Sequence, residues 1–131
     1  MMEVIAIAKN IRISPQKVRL VVDQIKKLPP QKAIEILDFT LKKASLPLKK
    51  VIQSAIANAT NNFGLDQSSL TLKSILVGKG PVAKRNQPVS RGRAHSILKR
   101  TSHIKVILEG EKSKEVSKVS QITEEPKTKE K

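Results

Sequence analysis

Gly78-Lys79-Gly80-Pro81-Val82-Ala83-Lys84-Arg85-Asn86-Gln87-Pro88-Val89-Ser90-Arg91-Gly92-Arg93-Ala94-His95-Ser96-Ile97-Leu98-Lys99-Arg100 stands between two β-rich runs, residues 70–77 and 101–108. The connection shows no helical period, and glycines and prolines punctuate it. A structureless loop of about 23 residues is uncommon inside a compact domain. One long hairpin whose two arms run out beyond the sheet is the better reading. Ten residues per arm, at ~3.3 Å each, would project roughly 30 Å. Residues 84–94 hold nothing apolar enough to anchor such an arm, so it requires a partner.

The charge pattern names the kind of partner. Between Asp66 and Glu109 there is no acidic residue, while Lys73, Lys79, Lys84, Arg85, Arg91, Arg93, Lys99, Arg100 and Lys105 all fall there. Residues 1–66 carry a net +6 and residues 109–131 a net of zero, so nine of the fifteen excess charges sit in one third of the chain. A merely solvated basic surface suits scattered lysines better than a block without one carboxylate. A polyanion, and specifically a nucleic acid, is the expected partner. Arg91-Gly92-Arg93 would let the backbone approach phosphates while two guanidinium forks bind them. Lys84-Arg85 and Lys99-Arg100 are expected to face each other across the arm. Thr101-Ser102-His103 adds three small polar groups suited to phosphate and ribose contacts.

Composition excludes several alternatives. Phe39 and Phe63 are the only aromatics, so the core must be aliphatic, and base-stacking platforms of the usual single-strand readers are missing. There is no cysteine, hence no disulfide and no thiolate zinc site. His95 and His103 lack motif spacing to a carboxylate, so no metal or other cofactor is expected. Gly78-Lys79-Gly80-Pro81 lacks the frame of a phosphate loop, and no nucleophile elbow surrounds any serine. No enzyme is expected. No segment approaches the ~20 apolar residues of a membrane span, and the first nine residues make a poor signal peptide and a good strand. A cytoplasmic setting without membrane contact follows.

The first half reads as scaffold. Residues 4–8 suggest a strand. Ser14 and Pro15 suit the N-cap and first position of a helix. Val18, Val21, Val22, Ile25 and Leu28 then share one face, with Leu20 breaking the pattern. Pro29-Pro30 ends this helix, and a short one follows over 31–38. A third helix, with Thr40 as possible cap and Leu46 as possible true start because of Pro47, runs to about Asn61. Ala44, Leu48, Val51, Ile52, Ala55, Ile56 and Ala59 form its stripe, and Gly64 suits a left-handed C-terminal cap. Residues 1–109 are expected to form a single domain, and 110–131 a disordered charged tail.

At this point the chain resembles the bacterial-type large-subunit ribosomal protein L-twenty-two family. The resemblance lies in Ile11-Arg12-Ile13-Ser14-Pro15-Gln16-Lys17-Val18-Arg19, in Ser54-Ala55-Ile56-Ala57-Asn58-Ala59, and in Gly80-Pro81 with Lys84-Arg85. It is strongest in Arg91-Gly92-Arg93-Ala94 followed by Ile97-Leu98-Lys99-Arg100-Thr101-Ser102-His103-Ile104. Asn86-Gln87, Val89-Ser90 and Leu41 depart from what that family usually carries. The resemblance implies an α+β fold, three helices packed on a small antiparallel sheet, with a long β-hairpin projecting over about 79–105. It implies a structural constituent of the large ribosomal subunit that binds rRNA, supports assembly, and extends the hairpin toward the peptide exit tunnel. It gives neighbouring ribosomal proteins as partners and places nascent peptide near a tip at Pro88, Val89, Ser90, Arg91 and Gly92. A bacterial or an organellar ribosome fits equally.

On this reading Lys79, Lys84, Arg85, Arg91, Arg93, Lys99 and Arg100 contact rRNA along the arm, with Thr101, Ser102 and His103 beside them. Arg12, Lys17 and Arg19 form a second contact surface on the body. The alternative is a DNA-bending architectural protein whose β-arm lies in the minor groove, with Pro88 as its wedge.

Overall fold

In the computed structural model, which describes residues 1–112, the elements run β1 (Met2–Ile11), α1 (Pro15–Ile25), α2 (Pro30–Phe39), α3 (Ser45–Phe63), β2 (Thr71–Lys79), β3 (Ala83–Pro88), β4 (Ala94–Lys99) and β5 (Ser102–Gly110). β5 lies between β1 and β2 in an antiparallel three-stranded sheet, while β3 and β4 pair only with each other. The α+β architecture with a projecting hairpin is therefore as expected.

Strand alternation explains how the body is built. On β5, Ser102, Ile104, Val106, Leu108 and Gly110 are buried, and the residues between them are half-exposed. Their inner face joins Val4 and Ala6 of β1 under the helices. α3 lies across β1 and β5, α1 lies over β2, and α2 packs on α3. The helical stripes meet the sheet as the 3.6 period requires: Val18, Val21, Val22 and Ile25 of α1, with Leu48, Val51, Ile52, Ala55, Ile56 and Ala59 of α3, are all in the core. Both phenylalanines are exposed. The core holds only aliphatic side chains.

Local grammar sets the boundaries. Ser14 has extended backbone and Pro15 occupies the first helical turn of α1. Pro30, with no N–H to lose, begins α2. α3 starts at Ser45, so Pro47 falls in its first turn, where a missing N–H leaves no hydrogen bond broken. Thr40 does not cap α3 as expected. It closes α2 instead, donating its hydroxyl to the Ile36 carbonyl at 2.7 Å. Gly64 ends α3 in the left-handed region (φ 61°), where a side chain would be strained. β5 continues through Gly110, and Lys112 bridges to Leu65. The rest of the expected tail lies outside the described residues.

No helix among the described residues covers the sheet's other face. At one end of that face Lys73, the extra residue at a bulge in β2, sits between Glu3 of β1 and Glu109 of β5. The Lys73 ammonium holds the Glu3 carboxyl below its ordinary 4.5 by hydrogen bonding and charge. Hydrogen bonds to Glu109 and Glu3 hold Lys73 above its ordinary 10.5. Glu3 thus contributes stability above its unfolded pKa and loses it as pH falls through the lowered folded value. Lys73 contributes below its unfolded pKa and loses it as pH rises through the raised one. Thermal midpoints of the wild type should exceed those of Lys73→Met by a steady margin from about pH 5.5 to 9.5. That margin should narrow below about pH 4 and above about pH 11; a margin unchanged at both extremes would contradict the coupling.

Candidate nucleic-acid interface

The hairpin begins where the ladder breaks. β2 pairs with β5 as far as Lys79 opposite Ser102, and β3 pairs with β4 from Ala83 opposite Lys99. Between them Pro81 has no N–H for the ladder. Gly80 donates to the Thr101 carbonyl at 2.9 Å, and Thr101 Oγ1 donates to the Pro81 carbonyl at 2.6 Å. A Cβ on Gly80 would overlap Thr101 Oγ1 and stand 3.2 Å from the Thr101 carbonyl carbon. Any larger residue here would have to displace Thr101. The paired arm is consequently shorter than expected, six residues per strand instead of ten, because the outer halves of β2 and β5 belong to the body.

The register decides how the two basic pairs face each other across the arm. Lys84 lies opposite Leu98 and Lys99 opposite Ala83. The side chains of Lys84 and Lys99 therefore leave on opposite faces. Arg85 shares a face with Lys99. Positive charge is thus presented on both sides of the ribbon.

At the tip, Val89 donates to the Arg93 carbonyl at 2.8 Å across a 3₁₀ turn, Ser90–Gly92. Arg91 and Gly92 both take left-handed backbone, φ 62° and 67°. That conformation costs an arginine about 1–2 kcal/mol. Pro88, Val89, Ser90, Arg91 and Gly92 do form the end of the arm, and every residue from Ser90 to Arg100 is exposed. Among the described residues no carboxylate pairs with Lys84, Arg85, Arg91, Arg93, Lys99 or Arg100.

The body residues gather at the root of the arm. Arg12 Nη1 donates to the Arg100 carbonyl at 2.6 Å, and Arg19 Nη2 donates to the Val77 carbonyl at 3.1 Å. Each guanidinium has five N–H groups, so both fasten the arm and keep donors free. Lys17 and Lys79 lie close by. Two clefts open there. The smaller, about 280 Å³, lies among Gln16, Arg19, Lys79, Gly80, Arg100 and Thr101. The larger, about 830 Å³, lies between α1, the turn after α2, and β4. Its wall includes Lys42 and Lys43, which had no place in the sequence reading. Nothing local marks them, because the turn that carries them reaches the arm only through the packing of α2 on α3.

Thr101, Ser102 and His103 are mostly spoken for. Thr101 holds Pro81. Ser102 is a correction: its side chain is 0% exposed on the core face of β5, and its hydroxyl makes no hydrogen bond among the described residues. It cannot touch a ligand. His103 Nδ1 accepts from the backbone N–H of Asn10 at 3.0 Å. Asn10 sits in left-handed backbone at the β1 bulge. With Nδ1 accepting, Nε2 is the ring nitrogen left to donate. His95 is exposed on β4, opposite Gln87.

The model of the family described as ribosomal protein L22p/L17e matches residues 6–109. The chain belongs to that family. The match runs from within β1 to the penultimate residue of β5 and takes in the whole arm. These are structural proteins of the large ribosomal subunit, which removes the reading as a DNA-bending protein. No helix among the described residues is long and apolar enough to cross a membrane.

The Gly80–Thr101 crossing sets the arm's origin and is open to test. Gly80→Ala should lower unfolding free energy by about 1–3 kcal/mol, the range for an overpacked site. Urea titration followed by circular dichroism would measure it, since the chain has no tryptophan or tyrosine. An unchanged midpoint would show that the crossing is loose.

Proposed function

We propose that the chain binds large-subunit rRNA through the β3–β4 arm and the cationic root beneath it. The observation that carries this reading is an exposed ribbon with positive charge on both faces and, among the described residues, no carboxylate partner. Such a ribbon is repelled by itself and satisfied by phosphates on either side. The contacts along it are Lys84, Arg85, Arg91, Arg93, Lys99 and Arg100, and those at the root are Arg12, Lys17, Arg19 and Lys79. Arg91 and Arg93 project from the turn, where short backbone and long guanidinium reach suit closely spaced phosphates. His103 Nε2–H and Thr101 lie beside this surface and supplement it.

By the same reading the protein is a non-catalytic constituent of a cytoplasmic large subunit, needs no cofactor, and joins RNA segments during assembly. Residues 1–109 act as one unit, with the arm as its extension. The tip, Pro88–Gly92, extends toward the peptide exit tunnel and meets nascent chain there, and neighbouring ribosomal proteins flank the body. Membership of the family supports this placement, and the acid-free arm is compatible with enclosure by phosphates.

Two measurements test it. With six to nine phosphate contacts, log affinity for purified rRNA fragments should fall against log salt with a slope of about −4 to −8. Replacing Arg85, Arg91, Arg93 and Lys99 together with alanine should reduce the magnitude of that slope by about 3. A slope near zero in the wild type would sink the proposal. Separately, photo-crosslinkers at Val89 and Ser90 in purified ribosomes should label both rRNA and a stalled nascent peptide. Labelling of rRNA alone would withdraw the tip from the tunnel and leave the RNA contacts standing.

A further inference from the structure

The larger cleft at the arm's root combines two surfaces that rarely meet. Arg12, Lys17, Lys42, Lys43 and Arg100 stand around it, and among the described residues no acidic one lines it. Its floor is apolar, made by Ile13, Val21 and Ala44 with Leu20 and Leu98. Leu20 is 69% exposed on α1, off the stripe that faces the core, and Leu98 is 45% exposed on β4. Neither leucine contributes to the core, and they lie 78 positions apart in the chain. Both line the one cleft, and Arg12, on its wall, donates to the Arg100 carbonyl at the end of β4.

We propose that this cleft receives one unstacked nucleotide extruded from a bulged or single-stranded stretch of RNA. The base lies against Leu20 and Leu98, and the flanking phosphates rest on Lys17, Lys42, Lys43 and Arg100. This deepens the RNA-binding reading above and rests on it. A regular duplex would engage the rim through its phosphates and leave the leucine floor wet, since its bases are stacked inside. An extruded base covers the floor and keeps its charged neighbours at the rim. The volume, about 830 Å³, lies within the range of sites that enclose small ligands. With no aromatic in the wall, the base is held by apolar burial instead of ring stacking, so discrimination among bases is weak. An acidic protein segment would meet the charge but would not extend onto the arm, whose cations continue from Arg100 outward on both faces.

The test uses the full chain and three RNA stem-loops: one with a single bulged adenosine, one with an abasic residue at the bulge, and one with no bulge. The bulged stem should bind about 5- to 10-fold tighter than the other two, as expected for burying part of one apolar surface. Leu20→Ser with Leu98→Ser should abolish that ratio while leaving affinity for the unbulged stem unchanged. Both leucines are outside the core, so folding is preserved. Lys42→Ala with Lys43→Ala should instead reduce the magnitude of the log–log salt slope by about 1.5. Equal binding of all three stems by the wild type, or a ratio that survives the leucine changes, overturns this inference alone. Failure to bind any stem overturns the RNA-binding reading with it. Methyl NMR adds an independent readout: Leu20 and Leu98 signals should move with the bulged stem and not with the abasic one. Movement with a glutamate- and leucine-bearing peptide, and none with RNA, would assign the cleft to a protein partner and overturn the proposal.

Discussion

Among the described residues β5 is the one strand of the body paired along both edges, and the molecule is organised around that constraint. Its inner face supplies Ile104, Val106 and Leu108 to the core. Its register with β1 and β2 fixes which side of each edge strand is buried. A slip of one residue would turn every one of those side chains toward solvent. The same strand leads back from the arm, so the packing that holds β5 also sets where the hairpin leaves. Stability and aim are properties of a single element.

What surrounds the departure point shows how one residue serves two ends. Arg12 and Arg19 are cations in a basic neighbourhood, yet each donates to a backbone carbonyl near the arm, Arg12 to Arg100 between β4 and β5 and Arg19 to Val77 of β2. Backbone carbonyls left without a strand partner need donors, and a guanidinium has more donors than one carbonyl uses. The hairpin is thereby fastened without recruiting a carboxylate, which would have placed negative charge beside the phosphates of an RNA partner.

Much of this was legible from residue order. The stripes of α1 and α3, the proline starts, the Gly64 stop and the acid-free hairpin follow from local rules that tertiary contacts do not override here. The parity of β5 was legible too: Ser102 is two positions from Ile104 and therefore shares its buried face, a signal that its polar chemistry masked. The length of the paired arm was not legible, because it depends on the Gly80–Thr101 crossing, a contact between residues 21 apart. Nor was the larger cleft. Leu20 was visible as a break in an otherwise regular helix, but the leucine that shares its cleft comes from β4, and Lys42 and Lys43 arrive on a turn placed by helix packing.

The narrow crossing at the root also makes the hairpin a lever. Its paired section of six residues is roughly 20 Å long, so a tilt of about 6° at the fulcrum carries the tip roughly 2 Å. That displacement is comparable to the difference between a hydrogen bond and none. Contacts at the root, Arg12 on the Arg100 carbonyl and Gly80 against Thr101, therefore govern, by mechanical advantage, what Arg91 can reach at the far end of the ribbon.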